Sequence, residues 1–229
     1  SSMNEAETRA ELIDPKIKAA GWGDIEGSIV RREFNITKGE IKPGGVRAGT
    51  IRADYLLIYK NRKLAIVEAK SDELSVRDGV GQAKDYAEKL TLLTTYSCNG
   101  HKIYEINYGK DDKGEMFITS EGEVDKFSTH DELWTKTFKD KNEWSSKFDG
   151  INFEPFKGSR EPRYYQEIAI NNALDAIADK QQKILLTLAT GTGKTVIAFH
   201  IAWKLFQARW NKQRDGKRLP RILFLADRN

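Results

Sequence analysis

Asp54, Glu68 and Lys70 are two carboxylates and an amine in a stretch, Thr50 to Lys70, that reads as two strands joined by a short polar turn. Side chains alternate along a strand, so Glu68 and Lys70 share one face of the second strand while Val67 and Ala69 take the other. On the first strand, Asp54 lies with Leu56 and Ile58, opposite Tyr55, Leu57 and Tyr59. In an antiparallel hairpin directly opposed residues share a face. Asp54 therefore meets Glu68 only across a turn with an odd number of residues, which Lys60-Asn61-Arg62 would supply, unless a bulge corrects the register. Two acids and a lysine at one sheet edge suit a hard divalent cation with oxygen ligands. The plainer reading is a Glu68–Lys70 ion pair on an exposed strand face, worth about 0–1 kcal/mol.

A second chemical stretch is Ala189-Thr190-Gly191-Thr192-Gly193-Lys194-Thr195. It follows the apolar run Ile184–Leu188 and opens a helix expected over 194–209. Backbone N–H groups of such a loop can surround phosphate oxygens. Gly191 and Gly193 permit close approach, Lys194 reaches the β and γ phosphates, and the Thr195 hydroxyl ligates Mg²⁺. Leu188 stands where the general phosphate-loop pattern has its first glycine.

The elements that must position these groups are legible in outline. An amphipathic helix is expected over residues 5–20, with Ala6, Ile13, Ile17 and Ala20 near one face, Pro15 marking a break and Gly21 a stop. Glu5 and Arg9, four apart, can pair on its surface. A carboxylate from this helix, Glu5 or failing it Glu11, could also complete a metal site, and Glu7 is a further candidate. A strand over 28–37 and a Gly/Pro-punctuated loop over 38–49 lead to Asp54. From about Asp78, Val80, Ala83, Ala87 and Leu90 recur with helical spacing. Gln82 and Tyr86 lie one turn apart on that helix; taken alone, they read as an exposed glutamine and a packed tyrosine. Strands are expected near 92–98, 103–108 and 115–119, with Asn99-Gly100 as a turn. Thr129 and Glu132 form a capping box for a short helix, and Trp134 and Trp144 read as packing anchors. A linker over 151–162 separates a first domain, 1–150, from a second, 163–229. In the second, a helix over 165–178 precedes a strand–loop–helix–strand unit with buried strands at 184–188 and 222–226.

Composition agrees with a soluble globular chain: 39% apolar and 31% charged residues, without a membrane-length apolar run. Cys98 is the lone cysteine, and with His101, His130 and His200 it forms no zinc spacing. The net charge of +4 permits a nucleic-acid partner without requiring one. Ser1-Ser2 ahead of Met3 reads as a tag remnant; no signal peptide is recognisable, and a cytoplasmic location is the default.

Several of these residues also carry family resemblances. Ala189–Thr195 is similar to motif I of superfamily 2 helicases and translocases. The likeness extends to Arg163-Tyr164-Tyr165-Gln166, which implies an adenine-reading role for Gln166, and to Phe224-Leu225-Ala226-Asp227-Arg228, similar to motif Ia. The sequence ends at Asn229 ahead of any acidic Walker B segment, so ATP hydrolysis is not expected from it. Asp54 with Glu68-Ala69-Lys70 resembles the PD-(D/E)xK nuclease signature, with Ala53 in place of the usual proline. Gln82-Ala83-Lys84-Asp85-Tyr86 is similar to the Gln-x-x-x-Tyr element of RecB-like nucleases. That resemblance implies Mg²⁺ held by Asp54, Glu68 and the Ala69 carbonyl, Lys70 orienting the attacking water, and Gln82 and Tyr86 positioning DNA or the lysine, with Glu5 as a further candidate.

Order of parts, domain length and the opening Asn4-Glu5-Ala6-Glu7-Thr8-Arg9 resemble the R (HsdR) subunits of type I restriction enzymes over nearly the whole chain. The implied fold is α/β: a restriction-endonuclease-like mixed sheet flanked by helices, then the beginning of a RecA-like parallel-sheet motor domain. The implied partners are double-stranded DNA and methyltransferase and specificity subunits, with ATP and Mg²⁺ serving the motor and no membrane involved. Two alternatives share the motifs: an ATP-dependent repair or defence helicase with an accessory nuclease, and a translocase with a catalytically inert nuclease fold.

Overall fold

The computed structural model describes residues 2–37, 50–139, 141–154 and 161–226. The chain divides into two compact units, Ser1–Lys139 and Asp140–Asn229. The loop expected over 38–49 and the last two residues of the motif Ia-like run, Asp227 and Arg228, lie outside the described residues.

The first unit begins with a capping box. Asn4 Oδ1 accepts the Glu7 N–H at 2.9 Å, and Glu7 returns a carboxylate to the Asn4 N–H at 3.0 Å. The helical stretch has three segments: α1 (Glu5–Thr8), a π-helical turn (Arg9–Ile13) and α2 (Asp14–Ala19). Pro15 has no N–H to donate, so the ladder cannot run through it unchanged; the π turn lies just ahead, and Pro15 stands at the start of α2, where no donor is required. Gly21, at φ 92°, ends the helix. Thr8, Ile13 and Ile17 supply its buried face, whereas Ala6, expected there, is exposed.

Six strands follow in the order β1 (Ser28–Thr37), β2 (Thr50–Tyr59), β3 (Arg62–Ala69), β4 (Thr94–Cys98), β5 (Ile103–Lys110) and β6 (Met116–Val124), each paired with its neighbours in sequence. Every pair is antiparallel except β3 with β4. That parallel pair needs a crossover. A 3-10 turn (Val76–Gly79) and helix α3 (Val80–Leu90) provide it and pack over β3 and β4. The opposite face carries the main core, where Ile13, Ile17 and Trp22 meet Tyr55, Leu57, Leu64, Ala65, Val67 and Ala69. Helix α4 (His130–Thr137), capped by Thr129 as expected, adds Leu133 to this core. Trp134 sets its edge against Tyr59 at 5.6 Å. With a layer on each side, β3 is buried along nearly its whole length.

The β2–β3 hairpin differs from the expected three-residue turn. Tyr59 pairs with Arg62, leaving only Lys60 and Asn61 in the turn, both left-handed at φ 49° and 64°. Such paired left-handed residues match the twist of the flanking strands. A two-residue turn alone would place Asp54 and Glu68 out of step. The correction comes from a bulge: Ile58 pairs with Lys63 but Leu57 pairs with Ala65, so Leu64 is the extra residue. The bulge lets Leu64 and Ala65 enter the same core. Beyond it Tyr55 pairs with Val67, and one further step brings Asp54 level with Glu68.

The second unit contains α5 (Glu143–Asp149), α6 (Tyr164–Ala178) and α7 (Lys194–Gln207). Phe148 of α5 is buried with Ile170 and Leu174 of α6 and Ile197 of α7. Helix α5 therefore goes with this unit, although the sequence reading assigns it to the first domain. The expected strands 184–188 and 222–226 have no ladder among the described residues, and Leu185, Leu223 and Leu225 are more than 80% exposed. A strand exists only through its neighbours' hydrogen bonds, and apolar content alone does not make one. No helix among the described residues is long and apolar enough to cross a membrane.

Candidate active site

Asp54 stands near the start of the long buried run of β2, and Glu68 at the end of β3. The register of the hairpin sets them side by side. The Ala69 N–H donates to Asp54 Oδ2 at 2.7 Å, which fixes the aspartate against β3. Glu68 is only 5% exposed, and its Oε2 has no hydrogen-bond partner. A buried carboxylate oxygen left unpaired is costly. Burial, with the adjacent Asp54 charge second, pushes the Glu68 carboxyl up to about 8, while Lys70 acts in the opposite direction. The charge of Glu5 also acts on Glu68 in the raising sense. Glu7 is instead engaged in the capping box.

Lys70 Nζ lies 3.8 Å from Glu68 Oε1 and donates to Gln82 Oε1 at 2.8 Å. The Glu68–Lys70 ion pair considered from sequence does form, but with a buried glutamate and not on an exposed face, and α3 supplies the lysine's closer partner. Tyr86, one turn along, is buried, and its hydroxyl donates to the Arg52 carbonyl at 3.1 Å. Gln82 thus touches the lysine, and Tyr86 ties α3 to β2. Burial, followed by the charges of Glu68 and Asp54, raises the Tyr86 phenol to about 12.

Two participants were not singled out from sequence. Arg9, expected to pair with Glu5, donates from Nη1 to Asp54 Oδ1 at 3.2 Å and from Nη2 to Glu33 Oε1 at 3.4 Å. No local pattern points across such a separation in sequence. Gly79 lets the crossover close on the site. A Cβ there would collide with Ser97 Oγ and press Glu68 Cγ and Lys70 Cε, each at 3.3 Å. Its place at a helix entry after Ser75 was the available signal.

Among the described residues no group of three or more His, Cys, Asp or Glu side chains is placed to hold a metal ion. The pair Asp54 and Glu68 still fits a divalent ion that keeps much of its water, because Mg²⁺ commonly takes one or two carboxylates, and the orphaned Glu68 oxygen is a ready ligand.

In the second unit, Gly191 and Gly193 are both left-handed at φ 79°. Thr192 Oγ1 donates to the Ala189 carbonyl at 2.7 Å, and Lys194 and Thr195 are exposed at the start of α7. Gln166 is buried. Its Oε1 accepts the Arg163 N–H at 3.0 Å and its Nε2 donates to the Thr192 carbonyl at 2.9 Å, so here it braces the glycine loop.

Residues 159–229 match the family of the type III restriction enzyme res subunit (ResIII). The whole chain is 32% identical to the type I restriction enzyme EcoAI endonuclease subunit of Escherichia coli, covering 28% of that protein. It is 28% identical over 99% of its length to the EcoKI endonuclease subunit of Escherichia coli strain K12, covering 23% of it. The chain spans about a quarter of the length of these curated relatives. Among solved structures, the fragment of a putative HsdR subunit of a type I restriction enzyme from Vibrio vulnificus YJ016 matches with a TM-score of 0.77 and 38% identity, over 96% of this chain and 41% of that one. The homologues of this chain are thus endonuclease (HsdR) subunits of type I restriction enzymes, and its mixed six-stranded sheet flanked by helices is the fold of an HsdR fragment.

Proposed function

We propose that the first unit is the DNA-cleaving part of a type I restriction subunit, with Asp54, Glu68 and Lys70 as its catalytic centre. The observation that carries this reading is the meeting of two level carboxylates, one with an unpaired buried oxygen, and a lysine held by Gln82. Asp54 and Glu68 would hold Mg²⁺, with the Ala69 carbonyl and Glu5 as further candidates. When bound, the ion supplies charge that polarises the scissile phosphate and lowers the pKa of an attacking water. Lys70 orients that water or offsets charge developing on the phosphate. Gln82 keeps the ammonium at the strand end, and Tyr86 holds α3 to β2 so that Gln82 stays in reach.

The second unit is the start of an ATP-driven motor. Gly191, Thr192, Gly193, Lys194 and Thr195 cradle the phosphates of ATP with Mg²⁺ in the intact subunit, with Gln166 bracing the loop or reading adenine. The partners are double-stranded DNA and methyltransferase and specificity subunits, in the cytoplasm. Mg²⁺-dependent nicking of plasmid by the full complex tests the nuclease assignment: Asp54→Ala and Lys70→Ala should each lower the cleavage rate by about a hundredfold or more while ATP turnover persists. Cleavage by both variants at the wild-type rate would leave the inert-fold alternative standing.

A further inference from the structure

Two departures from regular backbone occur beside Asp54: one carries a guanidinium, and the other carries a carboxylate that the guanidinium touches. The first is the π-helical turn that begins at Arg9. Such turns concentrate at functional positions. The second is Glu33 on β1, a left-handed non-glycine residue at φ 53° inside a strand. Its flanking pairs are Arg32 with Tyr55 and Phe34 with Ala53, so Glu33 stands level with Asp54. Left-handed strand residues persist where the surroundings impose them, and they cluster at functional sites.

The contacts show what these two features hold. One arm of Arg9 reaches Asp54 Oδ1 at 3.2 Å, and the other reaches Glu33 Oε1 at 3.4 Å. Glu33 Oε2 is in turn 3.4 Å from Arg52. Asp54 has its second oxygen on the Ala69 N–H. Each oxygen of Asp54 therefore has a partner, a cation on one and β3 on the other, whereas Glu68 keeps an oxygen with no partner. Arg9 also lies 5.7 Å from the centre of the Tyr55 ring, and Arg32 lies 5.5 Å from it on its own strand. Arg32 is bound to Asp14 at 2.7 Å, not to Asp54.

We propose that Arg9 is a positioning residue of the nuclease centre, a built-in cation that neutralises Asp54 until a divalent metal competes it away, with Glu33 as the carboxylate that then retains it. This inference rests on the nuclease reading above. A guanidinium is always charged and forks across two carboxylates, so it can release Asp54 while keeping Glu33. Metal entry then exchanges one cation for another at Asp54 and leaves Arg9 charged beside the centre.

The test is Mn²⁺ binding to the purified chain by calorimetry, without DNA or ATP. Asp54→Asn should abolish tight binding by the wild type; if the wild type binds no Mn²⁺, or binds it equally well without Asp54, the nuclease reading itself fails and this inference with it. Given binding through Asp54, Arg9→Met should tighten the Mn²⁺ Kd by about tenfold, the order expected for removing a charged hydrogen-bonded competitor. Glu33→Gln, which leaves Arg9 on Asp54 alone, should weaken it by roughly threefold. Arg32→Met removes a charge equally near the Tyr55 ring that is paired with Asp14 and should leave the Kd within about twofold. Binding by Arg9→Met that is unchanged or weaker overturns the proposal, as does equal tightening by Arg32→Met. A purely structural role for Arg9 would weaken binding in both Arg9→Met and Glu33→Gln, the opposite sign for the first.

Discussion

The two chemical stretches of this chain are organised differently. Around Asp54 and Glu68, hydrogen-bonded strands, a crossover helix and an N-terminal helix all meet, and each chemical side chain is held by a partner distant in sequence: Asp54 by Ala69 and Arg9, Lys70 by Gln82. Around Gly191 and Gly193, the loop shape comes from its own turn, with Thr192 bonded back to Ala189, and from one distant brace, Gln166 of α6. The flanking apolar segments carry no ladder among the described residues, and Lys194 and Thr195 face outward. A centre assembled across paired strands needs long-range register to exist at all. A glycine loop can take its shape from its own dihedrals and one brace, ahead of any sheet around it.

Backbone exchange should break or sustain this comparison most sharply. Amides of 65–69 on β3 are expected to exchange at least about a thousandfold more slowly than those of 184–188 and 222–226, because only the former sit in a two-sided ladder. Equal protection in hydrogen–deuterium exchange would show that the second unit's strands are paired after all.

The burial of Glu68 gives the first unit a pH signature that the exposed glycine loop lacks. Its carboxyl is raised from 4.5 to about 8, first by burial and then by Asp54. Between those values the folded chain keeps the proton and the unfolded chain releases it, so this group's contribution is present at low pH and is lost as pH rises toward 8. In chelator, the first unit of Glu68→Gln should match wild type near pH 5 and be more stable by on the order of 3 kcal/mol above pH 8. Urea melts at the two pH values measure the gap, and a gap that does not grow with pH would mean that Glu68 is not held protonated.

The smallest contrast lies within one crossover. Gly79→Ala drives a methyl into Ser97, Glu68 and Lys70 and should cost about 1–3 kcal/mol. Gly81→Ala, with open space around it inside α3, should stabilise by about 0.5–1 kcal/mol. Equal effects in a denaturant titration would show that the closeness of Gly79 to the site has no energetic weight.

Much of the first unit could be read from its residues, because alternation and capping are local. The span of β1, the two strands bearing Asp54 and Glu68, the Thr129 cap and the placing of Gln82 and Tyr86 on one helix face all follow from spacing within a few residues. What escaped depended on distant partners. Arg9 looked like a surface mate for Glu5 because nothing nearby announces Asp54. The apolar run at 184–188 looked buried because hydrophobicity does not say whether a neighbouring strand is there. Helix α5 was not legible as a helix, and Phe148 takes its place by packing against Ile170 and Leu174, which spacing around residue 148 does not announce.

The hairpin between the two acids has a further consequence for how its sequence can vary. One surplus residue must be absorbed between Tyr59 and Ala65, and it can sit either in the turn, as Arg62, or in the ladder, as Leu64. Both placements leave Asp54 and Glu68 in phase, so the outer end of the hairpin works as a vernier whose setting can slip without moving the acids. A polar replacement of Leu64 should therefore shift the surplus residue toward the turn, whereas deleting Leu64 would leave a regular two-residue hairpin, with Leu57 still opposite Ala65 and the two carboxylates still level.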